Sequence, residues 1–165
     1  MVVIALLLLL VSLVSVDLHG RLRQVRADRD ATRFARTLRL AAEEAILRRQ
    51  SLVVVIEVYD GYYTVYEANA KNEYYDAEPL LPRASLDHYW IDQIEFDDGS
   101  QQYSGEVIIT VGPEGFPSSL LFHLVDRDDR RMYVRCDRFT PRVVWAAQPL
   151  EMPEVRAAVS PGAVL

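Results

Sequence analysis

The stretch MVVIALLLLLVSLVSVDLHGRLRQVRADRDATRFARTLRLAAEEAILRR, Met1 to Arg49, decides the fold. It reads as one long helix in two halves. From Met1 to Val16 every residue is apolar except Ser12 and Ser15. From Asp17 to Arg49 there is no proline, and the only glycine is Gly20. Ala31, Phe34, Ala35, Leu38, Ala41, Ala42, Ala45 and Ile46 recur at steps of three and four. That spacing makes the buried stripe of an amphipathic helix. Phe34, Leu38, Ala41 and Ala45 are the expected packing contacts between helix and head. Arg29, Arg33, Arg36, Arg39, Glu43 and Arg48 fall on the other side, and Glu44 with Arg48 makes an i,i+4 pair in the favourable order.

Three readings compete for residues 1–16. A cleaved signal peptide needs a basic flank before the apolar run and small residues at the cut. Nothing basic precedes Met1 here, and cuts near Ser15 or Gly20 would place Leu13 or Leu18 where a small residue is required. A buried soluble helix would show a polar face, which this run lacks. A membrane helix remains, with Met1, Val2, Val3, Ile4, Leu7, Leu10 and Val14 among its residues. The run is slightly short: it spans ~24 Å as a helix against a hydrocarbon core of ~30 Å. Its arginines also come after the apolar run, at Arg21, Arg23, Arg26 and Arg29. By the positive-inside rule that would place the head in the cytoplasm. Both oddities have one remedy, a start that lies upstream of Met1.

Charge divides the chain in the same place. Residues 17–50 hold nine arginines against five acids, a net of +4. Residues 51–165 hold nine basic and nineteen acidic groups, a net of −10. An acidic head argues against general nucleic-acid binding, which needs many cations to neutralise phosphates. The arginine side of the stem suits a solvated face, lipid headgroups or acids on neighbouring subunits; a DNA role is the minority reading.

Residues 51–147 read as a β-rich head. Leu52 to Val58 is a β-branched run, Asp60-Gly61 is a hairpin signal, and Tyr62 to Tyr66 returns. Further strands are expected at Trp90 to Phe96, Glu106 to Val111, Leu120 to Val125, Met132 to Cys136 and Val143 to Trp145. Residues 68–88, with Pro79 and Pro82, read as a polar loop. Short strands with turn chemistry at each junction predict one antiparallel sheet or two. Residues 148–165, with Pro149, Pro153, Pro161 and Gly162, read as a flexible tail. The expected fold class is therefore α+β: a long N-terminal helix, half transmembrane and half amphipathic, packed on an antiparallel head. Its segments are 1–16, 17–50, 51–147 and 148–165.

Little in the chain suggests an enzyme. It has no nucleophile elbow, P-loop or dinucleotide fingerprint. The histidines are His19, His88 and His123; Asp87-His88 is a pair only on paper, because catalytic groups must meet in space. The lone Cys136 permits no intramolecular disulfide and reads as a small buried hydrophobe. Asp97-Asp98-Gly99-Ser100 and Asp126-Arg127-Asp128-Asp129 could attract Ca²⁺, but neither follows the twelve-residue EF-hand pattern. Solvated turns are the simpler reading. No cofactor and no metal are expected.

Two stretches carry a family resemblance. Phe34-Ala35-Arg36-x-Leu38-Arg39-x-Ala41-x-x-Glu44-Ala45-x-x-Arg48-Arg49, then Val53-Val54-Val55-Ile56, is similar to the helix and first strand of the pilin-like minor pseudopilins of type II secretion. Ile108 to Gly115, Leu120-x-Phe122-x-Leu124, Arg131-x-Tyr133-Val134-x-Cys136 and Arg138-Phe139-Thr140-Pro141-Arg142-Val143 resemble the same family's closing strands and turns. Pro141 stands where that family usually has glycine, so the turn must differ in detail. The resemblance, to the GspH/FimT-like group, implies a single-pass inner-membrane protein with its head in the periplasm. It implies assembly with other pseudopilins into a periplasmic pseudopilus and contact with secreted cargo; the acidic head leaves no nucleic acid expected. Met1-Val2-Val3-Ile4-Ala5 resembles the aliphatic residues just after the first acidic residue of a mature pilin, which again suggests an upstream leader. An in-frame Gly-Phe-x-x-x-Glu in the DNA before Met1 would settle that. A minor type IV pilin, for pilus biogenesis or DNA uptake, is the alternative, and a membrane-anchored periplasmic domain without a filament is a third.

Overall fold

The computed structural model describes residues 2–68 and 78–153, with helix side chains from Val25 onward. One helix, α1 (Val2–Arg48), runs through the whole opening stretch without a break. Nothing in that sequence forces a stop until its end. The stop is a left-handed cap. Arg49 has φ 53°; the Gln50 amide donates to the Ala45 carbonyl at 3.2 Å and the Arg49 amide to Ile46 at 3.3 Å. Those paired bonds satisfy carbonyls that a helix end leaves open. Glycine usually fills the left-handed position, but here an arginine does.

Among the described residues nine strands come next: β1 (Leu52–Glu57), β2 (Tyr62–Glu67), β3 (Pro79–Ser85), β4 (Tyr89–Phe96), β5 (Gln101–Gln102), β6 (Glu106–Val111), β7 (Leu120–Asp126), β8 (Arg131–Cys136) and β9 (Val143–Ala146). They form two antiparallel sheets, ordered β3-β2-β1-β6 and β5-β4-β7-β8-β9. The chain crosses between sheets after β3, β5 and β6, so neither sheet is a separate sequence block. Strand β1 sits inside its sheet, and its continuous run Leu52-Val53-Val54-Val55-Ile56 is buried on both faces. An uninterrupted apolar strand is what two-sided burial demands.

One expectation is corrected here. Residues 79–85 are not loop but strand β3. Prolines argue against a strand because they cannot donate to a ladder, yet β3 pairs only with β2 and lies at the sheet's edge. An edge strand needs only one side of its backbone bonded, so Pro79 and Pro82 are tolerated. Register shifts between Tyr63, Val65 and Tyr66 accommodate the irregular partner.

Pro141 is handled as its chemistry requires. The left-handed backbone falls two residues earlier, at Phe139 (φ 56°). The Thr140 hydroxyl donates to the Asp137 carbonyl and accepts from the Arg142 amide, each at 3.2 Å. Glycine is needed instead across the gap. Gly115 has φ +97°, and a Cβ there would come within 2.8 Å of the Thr140 amide nitrogen. The turn before β7 and the turn after β8 thus lock backbone to backbone.

Candidate functional site

The helix meets the head along a stripe of small residues with two large ones. Ala27, Ala31, Phe34, Ala35, Leu38, Ala41, Ala42 and Ala45 are all 2% exposed or less. Methyl-sized side chains let the helix backbone lie close to the sheets, and the larger Phe34 and Leu38 fill the gap between them. Phe34 stands edge-on to Tyr63 of β2 at 5.0 Å and to Phe122 of β7 at 5.2 Å. One helix side chain therefore touches both sheets. Edge-to-face pairing adds to what burial alone contributes.

Polar contacts fix the same joint at both ends. At the C-terminal end, Arg48 donates to Glu44 at 2.7 Å and to Glu67 of β2 at 3.0 Å. Toward the N-terminal end, His88 Nδ1 lies 2.5 Å from Asp30 Oδ2. The Arg33 guanidinium donates to the Ser85 carbonyl at 2.5 Å. The Ser85 hydroxyl donates to Asp87 at 2.5 Å. Both ends of the seat are tied to the head, so the helix cannot easily roll or slide on the sheets. The described helix also carries Arg26, Arg29, Arg33, Arg36 and Arg39, all exposed.

In the Asp126–Arg131 turn beside this end, Arg127, Asp128 and Asp129 are exposed, as expected of a solvated turn, but Asp126 is not. Asp126 is only 3% exposed. It accepts from the backbone amides of Asp128 and Arg130, both at 2.9 Å, and from the Arg130 Nε at 2.8 Å. Burial disfavours its charged form, but these donors outweigh burial and hold the carboxyl below the usual aspartate range. An aspartate so fully claimed has nothing left to offer a cation. Among the described residues no group of three or more potential ligands could hold a metal. Cys136 is fully buried, and burial, then Asp137, pushes its thiol up. Such a thiol is a packing group rather than a nucleophile.

The packing residues named from sequence, Phe34, Leu38, Ala41 and Ala45, come together in one core. Met1 lies outside the described residues, and the side chains of Val2, Val3, Ile4, Leu7, Leu10 and Val14 lie outside the described ones. Among the described residues no helix is long and apolar enough to cross a membrane. Asp87 and His88 turn to different partners: Asp87 to the Ser85 hydroxyl, and His88 to Asp30 of the helix, 58 positions away. No local spacing announces that contact, and so sequence reasoning missed Asp30.

The family model for the type II transport protein GspH matches residues 30–138. This chain belongs to the GspH family. Two solved structures show the same fold as this GspH-family chain. One is the type IV minor pilin FimU of Pseudomonas aeruginosa, 12% identical, with TM-score 0.52, covering 74% of this chain and 90% of that one. Another is the minor pseudopilin EpsH from the Type 2 Secretion System of Vibrio cholerae, 18% identical, with TM-score 0.53, covering 73% and 94%. A search of curated proteins found no match. The class that the family implies is a minor-pseudopilin-like structural subunit of type II secretion.

Proposed function

We propose that this GspH-family chain is anchored in the inner membrane by its apolar first segment and carries its head in the periplasm. The observation that carries this reading is the continuity of α1. A helix of 47 residues is ~70 Å long, whereas the stripe from Ala27 to Ala45 accounts for ~27 Å. The rest is available for another environment. Residues 1–16 supply lipid-compatible side chains, and apolar helices can exchange lipid for one another without meeting water. On assembly the same segment would pass from bilayer to filament core, beside other pseudopilins. The head would then face the periplasm and cargo.

Fractionation of cells expressing the full chain tests the anchor. The chain is expected in the inner-membrane fraction, with its head cleaved by protease added to the periplasm. Recovery in the soluble fraction would overturn the anchor. Likeness to FimU favours a second reading, a minor type IV pilin. A knockout separates the two: loss of protein secretion with pili intact supports the first, and loss of pili supports the second.

A further inference from the structure

Part of the basic charge on α1 is unused within the chain. Arg29 and Arg36 are exposed, and no acid among the described residues pairs with them. The ion pairs within the described helix are Arg33–Asp30, Arg39–Glu43 and Arg48–Glu44. Arg29 and Arg36 stand two turns apart on one side of the helix, ~10.5 Å along its axis. A shallow groove of about 600 Å³ passes them, lined also by Arg33, by Asp28 and by the apolar Val25 and Leu40. Val25 and Leu40 are 48% and 42% exposed.

The head carries a matching surface on β4. A regular strand turns positions three apart to opposite faces. Strand β4 is irregular between Ile91 and Gln93, and an extra residue there resets the alternation. Ile91 and Ile94 are therefore both buried, and Trp90, Asp92 and Glu95 are left on the outer side. Trp90 and Asp92 are exposed. Glu95 is partly exposed, 3.7 Å from His123. Asp92 and Glu95 lie ~10 Å apart along the strand, close to the arginine spacing. An indole beside two carboxylates suits a guanidinium, which stacks on the ring and pairs with the acids.

This strip faces away from the helix of its own chain. Its strand packs Ile91 and Ile94 into the core that holds Phe34 and Leu38 of α1, so the outer side cannot reach Arg29 or Arg36. A second copy can. The head is seated on residues 27–45, the same stretch that bears the two arginines. Two copies standing side by side in one membrane would thus hold β4 of one level with the arginines of the other. The charge totals agree in sign, +4 for residues 17–50 and −10 for 51–165.

We infer that the arginine side of α1 docks the Trp90, Asp92 and Glu95 strip of a second copy of this chain. Arg29 and Arg36 meet the two carboxylates, and the Trp90 ring stacks on a guanidinium. The contact is head-to-tail, so each copy offers its stem to one neighbour and its head to another. The levelling of the two surfaces rests on the membrane anchor proposed above.

Sedimentation of the purified full chain in detergent is the test. The wild type is expected to self-associate, and to dissociate as salt rises from about 0.05 M to about 0.5 M. Arg29→Glu combined with Arg36→Glu should weaken association about tenfold or more, and so should Asp92→Arg, because each sets like charges face to face. These side chains are exposed, so melting temperatures should not move. An equal mixture of the two variants should associate as the wild type does, since each supplies the charge that the other has lost. A wild type that stays monomeric, association untouched by salt or by the reversals, or a mixture that stays apart would each overturn the contact. None of these outcomes bears on the anchor, which cell fractionation reads separately.

Discussion

The two faces of α1 share a backbone and obey different rules. On the inner face, side-chain volume decides everything. Ala27, Ala31, Ala35, Ala41, Ala42 and Ala45 are buried to within 2%, and each is small because the sheets lie close. On the outer face Arg39 and Glu43 pair at 2.7 Å, half-exposed, and at the rim Arg48 and Glu44 pair as closely while Arg48 also reaches Glu67. Those pairs sit in water, where charge attraction is screened and ordering two long side chains costs entropy. The inner face should therefore be intolerant of change and the outer face forgiving.

The sharpest way to break that contrast is Phe34→Ala. It removes the side chain that touches both sheets and leaves a cavity, at an expected cost of about 3–5 kcal/mol. Denaturant melts of the full chain in detergent would read it; a cost under about 1 kcal/mol would mean that the sheets close without the ring. Ala41→Leu tests the same face in the opposite sense. Adding bulk to a 1%-exposed position should cost about 1–3 kcal/mol through overpacking.

Asp126→Asn asks whether a buried charge behaves like the inner face. It keeps the shape and weakens the donors' hold, so about 1–3 kcal/mol should be lost at neutral pH. The native carboxyl titrates below its ordinary value. Its contribution is thus full above the unfolded pKa, near ~3.9, and fades as pH falls through the native value. The gap between wild type and Asp126→Asn should accordingly shrink between about pH 5 and pH 2. A gap that stays constant would show that the carboxyl's charge contributes nothing. Arg49→Gly should raise stability by roughly 1 kcal/mol, because a non-glycine residue at φ 53° carries a steric cost. At the small end, Glu43→Gln on the outer face, which removes the charge paired with Arg39, should cost only about 0.3–0.5 kcal/mol, with most of that gone in about 1 M salt.

Much of this was legible in residues alone. The three- and four-step spacing from Ala31 to Ala45 gave the buried stripe because a helix repeats every 3.6 residues. The strands expected at 52–58, 62–66, 90–96, 106–111, 120–125, 132–136 and 143–145 share their limits with the structure to within about one residue. The edge strand at 79–85 was hidden by its prolines. Whether proline is tolerated depends on which side of a strand is paired, and the chain does not carry that information locally. Asp126 looked solvated because aspartates in turns usually are; its donors, Arg130 and the amides of Asp128 and Arg130, are local to the turn, and what the fold adds is the burial of the carboxyl.

For this protein the sequence by itself determined a long helix in two halves, a β-rich acidic head and the family to which both point. Periodicity and composition are local properties, and they survive without a partner. The tertiary structure alone decided that there are two sheets, that Phe34 joins them, and that Asp30 finds His88. Those facts depend on residues far apart in the chain meeting at fixed distances, and no spacing along the sequence encodes a distance in space.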